Sequence, residues 1–454
     1  MSKLLPVVLL AAVSAAALAG SAAAQDAPYE ATWESLDARP MPAWFADAKF
    51  GIFIHWGVYS VPAWGPKTRY AEWYWHDMQK KDGETWAFHV ETHGEDFQYQ
   101  DFAPLFKAEL FDPAEWAGIF RRSGAKYIVL TSKHHEGFCL WPSQESWNWN
   151  SVDVGPHRDL CGDLIEAVRA EGLRMGFYYS LYEWFNPVYN GDVERYVDEH
   201  MLPQMKDLVQ RYKPDIVWPD GEWGYPAEVW RSAEFLAWLY NESDAPKDVV
   251  VNDRWGKGCR NQHGGFATPE YGHIDKGEGL IQKGRFEECQ GMGHSFGYNR
   301  NENVDNYRSS TELLHLLIDN VSRGGNLLLD IGPTADGRIP VIMQQRLIDM
   351  GQWLEVNGDA IYGTRAWREH AEGERIRYTA KDGAVYAICF DWPGTELVLS
   401  TPKAREGVAA TMLGVEGGLE VRAGEDGLHI AVPALTPGNA PCAHAYVFKL
   451  TNVE

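Results

Sequence analysis

The chain has 454 residues, 45% of them apolar and 23% charged, which suits one large globular domain followed by a smaller one. A formal charge of −23, from 64 acidic against 41 basic residues, repels phosphate, so nucleic acid and anionic membrane surfaces are poor partners. Six scattered cysteines with no CxxC pair speak against a disulfide scaffold or a structural zinc site, although one or two disulfides stay open. The 20 Trp and 21 Tyr exceed what a core requires, and rings with a polar edge suit the apolar faces of sugars.

The amino terminus, MSKLLPVVLLAAVSAAALAGSAAAQ, joins a charged Lys3 to an apolar run and an Ala22-x-Ala24 cleavage pattern. Residues 1–24 are therefore predicted to be a signal peptide, sending the chain to a periplasmic, secreted or lysosome-like compartment. No later stretch approaches the ~20 apolar residues that a membrane span needs.

From about 45 to 335, short apolar runs alternate with helix-period segments. Strands are predicted over 49–57, 126–135, 174–184, 215–224, 248–253 and 326–333. Helices fit 112–124, 161–174, 193–212, 228–242, 311–323 and 340–356, the first two opening near Asp and closing near Gly. Such alternation implies parallel strands, in a doubly wound sheet or a closed barrel. No GxGxxG follows the first strand, and polar residues collect at several strand ends, which favours a (β/α)8-like barrel over residues 25–360. After that, short alternating strands between Gly, Asp and Pro turns predict an all-β sandwich over 361–454.

The stretch DIVWPDGEWG, 215–224, ends a strand in two carboxylates. Pro219 stops the ladder, so Asp220 stands at the carboxyl end of a strand, where a short acid is held firmly. Glu222, beyond Gly221, reads as a turn residue that orients neighbours or is solvated. Arg254, in VVVNDRWG, could grip sugar hydroxyls, pair with a carboxylate bidentately or form a structural ion pair with Asp253. Adjacent strand residues face opposite ways, so His134 and His135 both line one pocket only if the strand has ended or bulged between them. A metal site is the rival reading for these histidines, but no His-x-His or third ligand accompanies them, and His89/His93 fares no better.

The motifs FGIFIHWG (50–57), AEWY (71–74), SKHHEGF (132–138), WPDGEWG (218–224), VVNDRWG (250–256), SFGYN (295–299) and GGNLLLDIGPTADG (324–337) together resemble the α-L-fucosidases of glycoside hydrolase family 29. The resemblance implies a retaining exo-enzyme that removes terminal α-L-fucose from oligosaccharides or glycoconjugates through a covalent intermediate, with no cofactor and no metal. It makes Asp220 the nucleophile and His55, Glu72, Trp73, His134, His135, Tyr179, Trp218, Arg254 and Phe296 the contacts to the sugar. Tyr178, beside Tyr179, is the alternative for that contact. For the acid/base, Glu270 in ATPEYG is preferred to Glu287 in GRFEECQG, as a loop residue free to swing. The competing function is a fucose-binding protein with little or no hydrolytic activity.

Overall fold

The computed structural model describes residues 28–271, 285–436 and 438–454, so the expected signal peptide lies outside the described residues. Seven parallel strands form the first sheet: β1 (Phe50–Ile54), β2 (Tyr127–Lys133), β3 (Arg174–Ser180), β4 (Ile216–Asp220), β5 (Val250–Val251), β6 (Glu287–Gly291) and β7 (Asn326–Ile331). Their order is β5-β4-β3-β2-β1-β7-β6. The gap between β5 and β6 is filled by residues 266–270, through parallel bridges Asn252↔Phe266, Ala267↔Phe286 and Glu270↔Cys289. Cys289 N donates to Pro269 O at 2.9 Å and Glu287 N to Ala267 O at 2.8 Å, so this segment closes the ring as an eighth, short staff.

Alternation along the strands separates two cores. Phe53, Tyr127, Val129, Tyr178, Ile216, Trp218, Cys289 and Leu328 fill the barrel. Ile52, Ile54, Ile128, Leu130, Phe177, Tyr179, Val217 and Leu329 face outward, into the core shared with the helices. Gly51 on the inner face makes room for Tyr127, since a Cβ there would lie 2.3 Å from its ring.

The expected helices form, with shifted ends. Asp112 caps Pro113–Arg122 by accepting from Ala114 N and Glu115 N, both at 3.0 Å, and Ser309 with Glu312 makes a capping box for Ser310–Ser322. The segment read as one helix over 193–212 contains a π-turn at Val197–Met201. Among the described residues, no helix is long and apolar enough to cross a membrane. All six cysteines are free, so neither of the disulfides left open by the sequence forms.

The carboxy-terminal strands are β8 (Arg365–Glu372), β9 (Ile376–Lys381), β10 (Ala384–Cys389), β11 (Glu396–Leu399), β12 (Ala404–Met412), β13 (Val421–Ala423), β14 (Leu428–Ala431) and β15 (Tyr446–Val453). They build a five-stranded sheet, β12-β15-β10-β9-β8, and a three-stranded one, β11-β14-β13. All their pairings are antiparallel, and Val385, Leu399, Ile430 and Phe448 belong to a core of their own.

Candidate active site

The carboxyl ends of the barrel strands surround one pocket of about 460 Å3, counting its open mouth. His55, Glu72, Trp73, His134, His135, Trp218, Asp220, Arg254, Glu270 and Phe296 all line it, as do Phe53, Tyr70, Tyr178, Trp223 and Cys289.

Asp220 is the last residue of β4, and the Gly221 that follows has φ of 76°, a left-handed turn that suits glycine and ends the strand at the rim. Asp220 Oδ1 accepts from Arg254 Nη1 at 2.6 Å and Oδ2 from the Tyr178 hydroxyl at 2.9 Å. His135 Nε2 lies 3.9 Å from Oδ2. Burial pushes the Asp220 carboxyl up, but Arg254, His135 and Arg260 outweigh it and hold the group well below the usual carboxylate range.

Arg254 is the hub. Its Nη2 donates to Glu270 Oε1, its Nε to Thr268 Oγ1 at 2.8 Å, and its guanidinium lies 4.5 Å above the Trp218 ring. Two carboxyl groups thus meet one planar cation on its two terminal nitrogens. The sequence alternative of an Arg254–Asp253 pair does not form: Asp253 accepts from Thr268 Oγ1 at 2.7 Å and Asn261 N at 2.9 Å.

Three placements differ from the sequence reading. Tyr179 does not reach the pocket: its hydroxyl donates to Gln204 Oε1 at 2.7 Å and accepts from Lys133 Nζ at 3.2 Å, on the outer face of β3. The parallel register Tyr178↔Trp218 and Ser180↔Asp220 puts Tyr178 on the pocket side instead. Glu270 is not in a free loop, because its backbone is bridged to Cys289 of β6. Glu222 is not solvated; it is 2% exposed and its Oε1 accepts from Arg260 Nε at 2.7 Å.

Glu287 lies within the barrel, outside the pocket lining. Its Oε1 accepts from Trp218 Nε1 at 3.0 Å and its Oε2 from the Tyr127 hydroxyl at 2.5 Å. Burial pushes it up to about 7, against the lowering effect of those bonds. A carboxyl raised in the fold favours the folded state most below its ordinary value of 4.5, and that advantage is lost as pH rises through about 7. The stability of wild type relative to Glu287→Gln is therefore expected to fall by about 3 kcal/mol from pH 4 to pH 8. Urea denaturation across that range tests this, and a constant difference would contradict it.

His134 and His135 both reach the pocket because β2 ends at Lys133, and the chain turns at once, with Gly137 N donating to His134 O at 3.0 Å. His135 Nδ1 sits 2.6 Å from Ser180 Oγ, and His55 Nδ1 sits 2.6 Å from Asp330 Oδ1. Burial, reinforced by the nearby His134, pushes both His55 and His135 well below their ordinary range, so both rings are neutral near neutral pH. Burial, then the nearby Glu72, raises Asp330 as well. Glu72 Oε2 accepts from Gly297 N at 2.8 Å and Ser295 Oγ at 3.1 Å, and the Phe296 ring stacks on His55 at 5.0 Å. Among the described residues, no group of three His, Cys, Asp or Glu is arranged to hold a metal ion.

Sequence reasoning missed Phe53, Tyr70, Trp223 and Cys289 as lining residues. Trp223 follows Glu222 in DIVWPDGEWG, one residue past the carboxylates that end the strand, and that position could have marked it; Cys289 carried no signal.

Neutral imidazoles, aromatic faces and two acids at a shared cation, all lining one pocket, are the equipment for cleaving a glycosidic bond. Fold and site together define a glycoside hydrolase of the barrel class. The family profile described as "Alpha-L-fucosidase" matches residues 16–359, and that described as "Alpha-L-fucosidase C-terminal domain" matches 370–451. A tissue alpha-L-fucosidase of Rattus norvegicus is 46% identical, over 98% of this chain and 97% of that one. An alpha-L-fucosidase of Dictyostelium discoideum is 44% identical, over 94% and 96%. The crystal structure of a Thermotoga maritima alpha-fucosidase in complex with a mechanism-based inhibitor superposes with a TM-score of 0.82 at 38% identity, covering 93% of this chain and all of that one. The chain belongs to the α-L-fucosidase family.

Proposed function

We propose that the protein is a retaining exo-α-L-fucosidase acting on fucosylated oligosaccharides or glycoconjugates, with Asp220 as nucleophile and Glu270 as acid/base. The observation that carries this reading is the shared guanidinium: Asp220 and Glu270 both hydrogen-bond Arg254. Acids on the two terminal nitrogens of one cation suit the ~5–5.5 Å spacing of retaining enzymes better than the ~6.5–9.5 Å of inverting ones.

In the first step an Asp220 oxygen attacks C1 of fucose. The C1–O bond breaks, its electron pair stays on the leaving oxygen, and that oxygen takes the Glu270 proton. Esterification removes the Asp220 charge, so Arg254 then faces Glu270 alone, which suits a carboxylate that must act as a base. In the second step Glu270 takes a proton from water, the water oxygen attacks C1, and the ester electrons return to Asp220. Two inversions give net retention. His55, His134, His135 and Glu72 hold the sugar hydroxyls, while Trp218 and Phe296 face its apolar parts. Tyr178 takes the place first expected of Tyr179, since its hydroxyl bonds to Asp220. Glu287 supports Trp218 and does not exchange a proton with substrate.

The test is the Glu270→Ala variant with an aryl α-L-fucoside bearing a good leaving group. Turnover is expected to fall by about 10²–10⁴-fold, the range of a lost general acid/base. Azide should then restore it and yield α-fucosyl azide, identified by NMR. Rescue at Glu287→Ala instead, or a β-azide, would overturn the assignment.

We infer export as well, from the charged, apolar and small-residue pattern of residues 1–24. A relative at 44% identity named plasma alpha-L-fucosidase, from Homo sapiens, accords with it.

A further inference from the structure

Behind the pocket wall, His135 meets Ser180. Ser180 is the last residue of β3, buried and outside the pocket lining, so it touches no sugar. Its Oγ lies 2.6 Å from His135 Nδ1 and 2.5 Å from the Tyr182 carbonyl oxygen. It also abuts the turn after Asp220: a Cβ on Gly221 would lie 3.1 Å from this Oγ, and Leu181 N donates to Asp220 O at 2.7 Å. One hydroxyl thus stands between a histidine of the pocket and the strand end that carries Asp220.

The two short contacts fix the direction of both hydrogen bonds. A carbonyl oxygen only accepts and a serine hydroxyl has a single proton, so Ser180 Oγ donates to Tyr182 O. His135 Nδ1 therefore faces the lone pairs of Oγ and must be the donor. Burial keeps the ring neutral, and a neutral imidazole carries its proton on one nitrogen, so Nε2 turns a lone pair into the pocket. The other end of the ring agrees. Nε2 stands 3.9 Å from Asp220 Oδ2, too far for a hydrogen bond, and Oδ2 already accepts from the Tyr178 hydroxyl at 2.9 Å. Two acceptors at that separation suit a hydroxyl proton arriving from a sugar.

We propose that Ser180 is a positioning residue that fixes His135 as its Nδ1–H tautomer, so that Nε2 accepts a hydrogen bond from a fucose hydroxyl. The proposal rests on the fucosidase reading for the identity of the sugar, and the test separates the two. NMR of the imidazole nitrogens in histidine-labelled protein, with His135→Asn to assign the signal, is expected to show wild-type His135 protonated at Nδ1 and bare at Nε2. Ser180→Ala removes the acceptor and should move the ring toward the Nε2–H form. It should also raise KM for an aryl α-L-fucoside about tenfold, the factor of one hydrogen bond, and change kcat less. Ser180→Thr keeps the hydroxyl and should restore both the tautomer and most of the affinity. An Nε2–H ring in the wild type would overturn the proposal, whatever the variants do. So would equal losses in Ser180→Ala and Ser180→Thr with the ring unchanged, the pattern of a residue that only packs. A wild type with the Nδ1–H ring that hydrolyses no α-L-fucoside would instead overturn the fucosidase reading and leave the tautomer standing.

Discussion

Asp220→Gly is expected to lose at least about 10⁴-fold in kcat/KM toward an aryl α-L-fucoside while keeping its far-UV circular dichroism, a loss on the order of 5 kcal/mol in transition-state stabilisation. The size follows from the proposed role. Without Asp220 no covalent ester forms, and Tyr178 and Arg254 are left aimed at an empty position. Azide should enter that space and attack C1 once, giving β-fucosyl azide, the opposite anomer from that expected of Glu270→Ala. Full activity in the glycine variant, or an α-azide product, would remove Asp220 from the mechanism.

Arg254→Ala should be nearly as damaging, and for two separable reasons. Removing one partner of a buried pair typically costs ~3–5 kcal/mol, and here it leaves the buried Asp220 with only the Tyr178 hydroxyl and the more distant His135 and Arg260 to offset its desolvation. Turnover is expected to fall about 10³-fold, comparable to removing a preorganised electrostatic partner. The second effect has a sign. Burial raises the Asp220 carboxyl, and Arg254 is the largest of the charges that hold it well below the usual carboxylate range; without it His135 and Arg260 alone oppose burial, and protonation occurs at higher pH. The acid limb of the kcat/KM profile should therefore move upward, and an unmoved limb would show that Arg254 does not control Asp220. Arg254→Lys should recover only part of the loss, since an ammonium cannot serve two carboxylates and a ring face together.

Both variants probe residues that were legible in the sequence, because strand ends in a barrel converge and Asp220 and Arg254 each end a run of apolar residues. Strands rich in Val, Ile and Leu announced themselves. The segment 266–270 did not, since Pro269 breaks its strand pattern, and the run Glu287–Glu288 left β6 only a weak one. Those residues are strand-like because the ring must close, a constraint that no local window contains. Tyr178 against Tyr179 was a question of parity, decided by register with β4 and not by either residue's own chemistry. Glu222 looked exposed because it sits beyond a glycine turn, yet Arg260, thirty-eight residues further on, folds back to cover it.

The closing segment ends at Glu270, and its bridges to β5 and β6 complete the ring. The group proposed to transfer the proton is thus mounted on the fastener of the scaffold. A short strand held by three bridges can detach locally while the rest of the barrel stays intact. Detachment would carry Glu270 away from Arg254 and silence the enzyme without unfolding it. Heat or denaturant would then extinguish turnover before secondary structure melts, and during refolding activity would be among the last properties to return.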